Sequence, residues 1–293
     1  VAVDGAGLPR WTAGAHLDIV VAPEYLRQYS MCGDPADRSC YEIAVLQEPE
    51  GRGGSQLMHR IFEPGRRVFV SKPINHFELE PSAKLSLLFG GGIGVTPMLA
   101  FAHELHRKGG AFRLMYSASQ KSKAAFDGAF DGLAWADRVS RHYSDQGTRL
   151  DIARDVPAYD AGTYIYVCGP DAYMSAILDH ARSIGYPEAA LHAEFFTVPE
   201  LPEWENHPFE IERANGQKIP VTATQSASDA LIAAGIPVDV KCADGLCGVC
   251  KCTVLSGEVE HRDFVLSAAQ RETTVILCQS RAAEAGGVLK LDI

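Results

Sequence analysis

The chain has 293 residues, of which 46% are hydrophobic and 22% are charged, and its formal net charge is −10. This composition excludes disordered and fibrous classes, and the length allows two or three domains with separate cores. The negative charge argues against nucleic acids and anionic membranes as partners, because both would repel such a surface on average.

Residues 1–80 predict an antiparallel β-barrel. Short alternating strands such as Leu17–Val21 and Val68–Val70 are separated by glycine and proline turns, and few helix signals occur between them. Two segments of this region are candidate flavin-binding segments. One is a strand end that offers a cation, an aromatic ring and a hydroxyl: Arg27, Gln28, Tyr29 and Ser30. The other is a small amide-rich loop suited to a phosphate, or else an ordinary glycine turn: Gly53, Gly54 and Ser55.

Residues 81–198 predict a parallel α/β domain. Buried strands are expected at Leu85–Phe89, Phe112–Tyr116 and Tyr164–Val167. A helix through Leu99–Leu105 is expected after the first strand, and another that ends near Gly185 after the third. This alternation is typical of nucleotide-binding sheets.

Two glycine turns in this domain are candidates for binding a dinucleotide. The run Gly90–Gly94, followed by Thr96 and Pro97, is too broken for a membrane helix and presents bare amides at a helix start. It does not match G-x-G-x-x-G, so a plain strand-to-helix turn is the alternative. The segment Cys168–Pro170 ends another parallel strand, which puts both turns on the sheet edge where ligands bind.

Residues 199–208 predict a linker, because Pro199, Pro202 and Pro208 stand among glutamates. Residues 209–293 then predict a small α+β domain. A hairpin turns at Asn215–Gly216, and a short helix follows with Ser226 or Ser228 near its start and Gly235 after its end.

The eight cysteines are unevenly distributed, with five in the last fifth of the chain. Four of these five have the C-x4-C-x2-C…C spacing of a plant-type [2Fe–2S] site: Cys242, Cys247, Cys250 and Cys278. A zinc knuckle is the alternative, although it normally uses two separated C-x2-C pairs. Cys252 is predicted to be a buried strand residue and not a ligand, with a substitute ligand as the alternative.

Taken together and in this order, the two barrel segments, the two glycine turns and the carboxyl-terminal cysteines resemble the phthalate dioxygenase reductase family, which includes vanillate O-demethylase reductases. The resemblance covers essentially the whole chain. It implies a flavin barrel, a nicotinamide domain and a ferredoxin domain. It also implies that barrel strands precede those present here.

The resemblance further implies FMN rather than FAD, with Arg27, Tyr29 and Ser30 at the flavin and Gly54 and Ser55 near its phosphate. It puts two further residues beside the nicotinamide: Thr96 and Cys168. Glu194–Phe196 matches the segment that closes the flavin site in the family. The complete set of predicted cofactor-binding residues is Arg27, Gln28, Tyr29, Ser30, Gly53, Gly54, Ser55, Gly92, Gly94, Thr96, Gly169, Pro170 and Phe195, with Ser30, Thr96 and Cys168 expected to position the reacting groups.

The predicted function is electron transfer from NADH through FMN and a [2Fe–2S] cluster to a partner oxygenase, because a nicotinamide gives two electrons and a cluster takes one. By resemblance the partner is a Rieske-type aromatic oxygenase or O-demethylase, with a haem monooxygenase as the alternative. Other readings are a self-contained oxidoreductase, or a redox-sensing or zinc-stabilised binding module without turnover. NADH is favoured over NADPH, and we expect a cytoplasmic monomer.

Overall fold

The computed structural model describes residues 7–23, 25–51, 53–198 and 204–293. The chain divides into two compact units, Val1–Glu194 and Phe195–Ile293. Residues 1–6 of the predicted barrel and 199–203 of the predicted linker lie outside the described residues. Residues 204–208 have neither helix nor strand, as a linker requires.

The first part of the amino-terminal unit is an antiparallel sheet. Its strands are β1 (Ala15–Ala22), β2 (Tyr25–Ser30), β3 (Phe69–Val70) and β4 (Ile74–Asn75). β1 pairs with each of the others. Along β1 the side chains of Leu17, Ile19 and Val21 are buried and Val20 is 43% exposed, which is the period-two pattern of a strand with one core face. These strands are the described part of the predicted barrel.

A helix occupies the segment for which the sequence predicted a loop. α1 spans Gly54–Ile61, with Gly53 as its N-cap in the left-handed conformation at φ 80°. The prediction of a loop was wrong because Met58 is buried and Leu57 and Ile61 pack against the core. Such tertiary contacts stabilise a short amphipathic helix that its glycine-rich start alone does not predict.

The second part of the amino-terminal unit is a five-stranded parallel sheet with the order β7-β6-β5-β8-β9. Its strands are β5 (Leu85–Gly91), β6 (Phe112–Ala118), β7 (Val139–Tyr143), β8 (Thr163–Cys168) and β9 (Leu191–Glu194). Its helices are α2 (Val95–Lys108), α3 (Ile152–Asp155) and α4 (Asp171–Ser183). The chain order reverses between β5 and β8, so this sheet has a topological switch point there.

The two sheets of the amino-terminal unit share one hydrophobic core. Phe77, from the segment after β4, lies 5.1 Å between ring centroids from Phe101 of α2, which in turn lies 5.1 Å from Tyr166 of β8. The backbone N–H of Glu80 donates to the Tyr166 hydroxyl at 2.7 Å. The predicted domain boundary at residue 80 therefore falls within a compact unit, and a division there stays a prediction.

The carboxyl-terminal unit is a mixed α+β fold. Its strands are β10 (Phe209–Arg213), β11 (Lys218–Val221), β12 (Lys251–Ser256), β13 (Val259–Glu260), β14 (Thr274–Ile276), β15 (Arg281–Ala282) and β16 (Val288–Leu291). Its helices are α5 (Ala227–Ala233) and α6 (Ala268–Arg271). The main sheet has the order β11-β10-β16-β12-β14, and β13 pairs with β15. Ser226 caps α5 in a capping box with Asp229, so Ser226 and not Ser228 is the N-cap.

No helix in the described part of the chain is both long enough and apolar enough to span a membrane.

We predict that Gly14→Ala destabilises the amino-terminal unit much more than Gly65→Ala does. Both glycines have φ 89°, so both substitutions carry the cost of a left-handed alanine, about 1 kcal/mol. A Cβ at Gly14 would lie 1.7 Å from the carbonyl oxygen of Phe77, whereas one at Gly65 meets nothing within 4 Å. The clash should add at least about 2 kcal/mol. Thermal unfolding of both variants measures this difference, and equal melting temperatures would contradict it.

Candidate functional site

The flavin tetrad predicted from the sequence lies on β2, where alternate side chains point to opposite faces. Arg27 shares a face with Tyr25, and its guanidinium carbon lies 5.0 Å from the centroid of the Tyr25 ring. An added Cβ on Gly54 would lie 2.4 Å from Arg27 Nε, and one on Gly53 would lie 3.2 Å from the Tyr25 hydroxyl. Arg27 and the start of α1 are therefore adjacent. The sequence analysis did not include Tyr25 in this site, although Tyr25 lies two residues before Arg27 and so on the same face of the strand.

The start of α1 is suited to bind an anion beside Arg27. No side chain caps the helix, so its first amides are not satisfied by a cap. The Ser55 hydroxyl accepts a hydrogen bond from the backbone N–H of Glu48 at 3.1 Å and can still donate one. Guanidinium, amides and hydroxyl together form the donor set that a phosphate requires.

Gln28 and Ser30 lie on the other face of β2. The Gln28 amide lies 3.0 Å from His16 Nε2 and 3.2 Å from Asp18 Oδ1, so its side chain is engaged with β1. The assignment of Gln28 to a cofactor stays a prediction.

Ser30 forms a long-range contact with Glu194, at the end of β9. The Ser30 hydroxyl donates to Glu194 Oε2 at 2.9 Å across 164 residues of sequence. Glu194 is also the β-sheet partner of Cys168. Glu194 keeps a part of its surface exposed, yet the dense protein around the carboxyl raises its pKa to about 7, against the lowering effect of Ser30. A serine, a cysteine and a titratable carboxyl thus lie together.

Cys168 itself is enclosed. It is 1% exposed, and burial raises the pKa of its thiol well above the ordinary value, with Glu194 adding to the rise. A neutral, buried thiol is a poor nucleophile. Its contribution is therefore to shape the site.

The two glycine turns meet at the switch point of the parallel sheet. Gly90 is paired with Cys168 in the ladder between β5 and β8. A Cβ on Gly94 would lie 2.3 Å from the carbonyl oxygen of Cys168, and one on Gly169 would lie 2.9 Å from Gly91 Cα. Pro170 continues the second turn as the N-cap of α4. The predicted pairing of the turns is confirmed by these contacts.

Several features around these turns fit a bound dinucleotide. Gly92 has φ 56° and open space around it, which leaves room for a ligand against the backbone. The hydroxyls of Ser117 and Tyr173 are buried near each other beside these turns. The Thr96 hydroxyl is buried and donates to the Ile93 carbonyl at 3.0 Å.

The four cysteines predicted as ligands converge in the carboxyl-terminal unit. Hydrogen bonds join the thiol of Cys242 to those of Cys247 and Cys278, and the thiol of Cys278 to that of Cys250. These hydrogen bonds lower the pKa of the Cys242 and Cys250 thiols and raise the pKa of the Cys247 and Cys278 thiols that donate them. The four thiols thus lie close enough together to share their protons, and as thiolates they are suited to bind iron.

The loop that carries three of these cysteines wraps tightly. Ala243, Gly245 and Gly248 all have left-handed backbones, at φ 57°, 73° and 67°. Gln279 Nε2 donates to the Ala243 carbonyl at 2.6 Å and ties the loop to the fourth cysteine's segment. Four neighbouring thiols supply two thiolates for each iron of a two-iron cluster, so the donor set fits [2Fe–2S].

Cys252 lies apart from the four thiols. It is buried in β12, and its sulfur lies 3.7 Å from the Thr253 carbonyl and 3.8 Å from the Asp292 carbonyl. This placement confirms the prediction of a buried strand residue. Phe195, which was predicted to bind a cofactor, is the first residue of the carboxyl-terminal unit and packs its ring 5.2 Å from that of Phe264.

Comparison with known proteins gives one domain match and matches over nearly the whole chain. Residues 210–283 match the family model of the 2Fe-2S iron-sulfur cluster binding domain. The chain is 40% identical over 297 residues to vanillate O-demethylase oxidoreductase of Pseudomonas sp. strain HR199, covering 99% of this chain and 93% of that protein.

Two solved structures are also similar over 99% of the chain. One is phthalate dioxygenase reductase, described as a modular structure for electron transfer from pyridine nucleotides to [2Fe-2S]; it is 34% identical with a TM-score of 0.68, and 91% of its chain is covered. The other is an intact type IV self-sufficient cytochrome P450 monooxygenase, 36% identical with a TM-score of 0.90. The match covers 38% of that longer chain.

We predict that the stability difference between Glu194→Gln and the unmodified chain depends on pH. The raised pKa means that the folded state holds the Glu194 proton more tightly than the unfolded state. The stability of the unmodified chain therefore falls as pH rises from about 5 to 8, by about 2 kcal/mol after allowance for partial exposure. Glutamine does not titrate, so Glu194→Gln should gain that amount relative to the unmodified chain. Thermal unfolding of Glu194→Gln and of the unmodified chain at pH 5 and at pH 8 tests this.

A matched control is Glu188→Gln, because Arg182 lowers the pKa of the Glu188 carboxyl and keeps it ionised across this range. Its effect on stability should be the same at pH 5 and pH 8. A pH-independent effect of Glu194→Gln would contradict the assignment of a raised pKa.

We predict that Cys250→Ser removes the cluster and Cys252→Ser does not. The Cys250 thiol is hydrogen-bonded to another thiol of the set, whereas the Cys252 thiol packs in the hydrophobic core and donates to backbone carbonyls. Iron content and visible absorbance measure the outcome, with two irons per chain expected for Cys252→Ser. Loss of iron in both variants would make Cys252 a ligand or an essential support.

Proposed function

The chain belongs to the phthalate dioxygenase reductase family of oxidoreductases, and from this we propose that it is the reductase component of an oxygenase system. It carries electrons from NADH through FMN and a [2Fe–2S] cluster to a partner oxygenase. The observation that carries the proposal is the presence, in one chain, of a thiol set for the cluster, a glycine-lined switch point for a dinucleotide and an anion site beside Arg27. A bound flavin would supply the conversion between two-electron and one-electron chemistry that connects NADH to a [2Fe–2S] cluster.

The chain's own residues bind and orient these groups. Arg27 and the amides at Gly53, Gly54 and Ser55 hold the phosphate of FMN, and Tyr29, exposed in part beside Arg27, contributes its ring. Its phenol stays neutral, because burial raises the pKa of Tyr29.

The nicotinamide side is assigned to the two glycine turns. The backbone at Gly92, Gly94, Gly169 and Pro170 holds the pyrophosphate. The Ser30 hydroxyl donates a hydrogen bond to the Glu194 carboxyl, and Thr96 and Cys168 fill the space beside the nicotinamide. The thiolates of Cys242, Cys247, Cys250 and Cys278 hold the cluster.

A preference for NADH is supported by the charges near the end of β6. Lys121 Nζ lies 3.6 Å from Asp127, and Arg141 bonds to Asp131. Both cations are thus neutralised by carboxylates, which would also repel the 2′-phosphate of NADPH.

The partner is assigned as a Rieske-type aromatic oxygenase or O-demethylase, which the likeness to vanillate O-demethylase oxidoreductase supports. A haem monooxygenase is the second candidate, because the TM-score of 0.90 is with a cytochrome P450 monooxygenase chain. We further assign a monomer in the cytoplasm, where thiol ligands stay reduced.

The test is an anaerobic titration of the purified full-length chain with NADH, following the flavin band and the cluster absorbance together. Both should bleach, and reduction of cytochrome c with NADH should follow. Cys278→Ser should keep flavin reduction and lose the cluster band. If zinc replaces the cluster band in the unmodified chain, the binding-module reading stands in place of this one; an unreduced flavin beside an intact cluster would contradict the role of NADH.

A further inference from the structure

Two buried arginines lie beside the cluster-binding cysteines in the carboxyl-terminal unit. Arg262 is 7% exposed and Arg281 is 5% exposed. Together with Cys278 they line a cavity of about 540 Å³. No carboxylate is among the described residues that line this cavity. Cys278, one of the predicted cluster ligands, therefore faces a cavity whose charged lining residues are both arginines.

Arg281 is held rigidly by uncharged groups. Its guanidinium donates to three backbone carbonyls, those of Gln225, His207 and Thr222, each at 2.8 Å. Its carbon lies 5.0 Å from the centroid of the Phe209 ring. Its Nε is buried and has no hydrogen-bond partner in the described part of the chain. The charge is thus fixed in place without a carboxylate bonded to it.

One carboxylate lies near both arginines, but it is hydrogen-bonded to only one of them. Glu260 of β13 stands opposite Arg281 of β15 in the ladder. The Glu260 carboxylate, however, accepts from Nε of Arg262 at 2.8 Å and from its Nη2. Two guanidinium charges and one carboxylate charge leave one positive charge uncompensated within this group. Burial and the nearby Arg262 lower the pKa of Arg281, but a guanidinium remains charged in proteins.

We propose that Arg281 raises the reduction potential of the cluster held by Cys278 and its three companion thiolates. On reduction the cluster gains one electron from the reduced flavin, and with it one unit of negative charge. A fixed, largely buried positive charge near the cluster stabilises that reduced form more than the oxidised form. Arg281 thus makes the cluster a better acceptor from the flavin. The inference rests on the proposed function, because it requires a [2Fe–2S] cluster at these thiolates.

The experiment is a reductive titration of the full-length, cofactor-loaded chain, in which electron paramagnetic resonance reports the fraction of reduced cluster. Arg281→Met removes the charge and should lower the equilibrium constant for cluster reduction about tenfold, which is about 59 mV for one electron. Arg281→Lys keeps the charge but loses the planar set of donors, so the potential should stay near that of the unmodified chain while thermal stability falls. Equal shifts in both variants would mean a structural role and would overturn the proposal.

A second variant keeps the test decisive if Arg281→Met does not fold. Glu260→Gln removes the one compensating carboxylate and should raise the equilibrium constant for reduction, by about threefold because Glu260 is 33% exposed. Lys218→Met is the control, since this lysine is 57% exposed and paired with Glu210, and it should leave the potential unchanged. An unchanged or lowered potential in Glu260→Gln would overturn the proposal.

The same titration separates this inference from the assignment of the cluster. If the unmodified chain gives no signal of a reduced cluster, the proposed function fails and the role of Arg281 with it. If the signal is present and the charge variants leave its potential unchanged, only the role of Arg281 fails.

Discussion

The close approach of two backbone turns at the parallel sheet is the constraint on which the nucleotide side of the molecule depends. Gly94 faces the Cys168 carbonyl and Gly169 faces Gly91, and neither contact leaves space for a Cβ. The contact fixes the end of β8, and β8 pairs with β9 so that Cys168 stands opposite Glu194. The Ser30 hydroxyl can then reach Glu194 from the antiparallel sheet. One steric requirement thus sets both the dinucleotide turn and the position of the titratable carboxyl.

The parts of the fold that the sequence predicted well are those with local physical causes. The hairpin at Asn215–Gly216 forms because that pair tolerates the backbone of a tight turn, and Ser226 caps α5 because its hydroxyl reaches the N–H of Asp229. The cysteine spacing is equally local, since three of the four predicted ligands lie within nine residues. In each case the cause and the effect lie within one turn or one loop.

The parts that the sequence did not predict depend on residues far apart in the chain. Glu194 was recognised only as part of a matching segment, and its bond to Ser30 and the raised pKa exist because folding joins residues 164 positions apart. Gly54 and Ser55 were predicted to lie in a loop and instead begin α1, because the glycines are visible in the sequence and the core that Met58 enters is not. Arg281 and Glu260 face each other across a two-stranded sheet for which no turn signal was recognised.

The hydrogen bonds that Arg281 makes do not by themselves require a positive charge at this position. A glutamine has two N–H donors and could satisfy two of the three carbonyls that Arg281 binds, and the third bond contributes about 1 kcal/mol. Burying a charge without an ion partner costs several kcal/mol. A chain selected only for stability would therefore have little use for a cation at this position. The cost is understandable if a negative charge arrives beside Cys278 in each turnover, because the buried arginine and the reduced cluster then compensate each other.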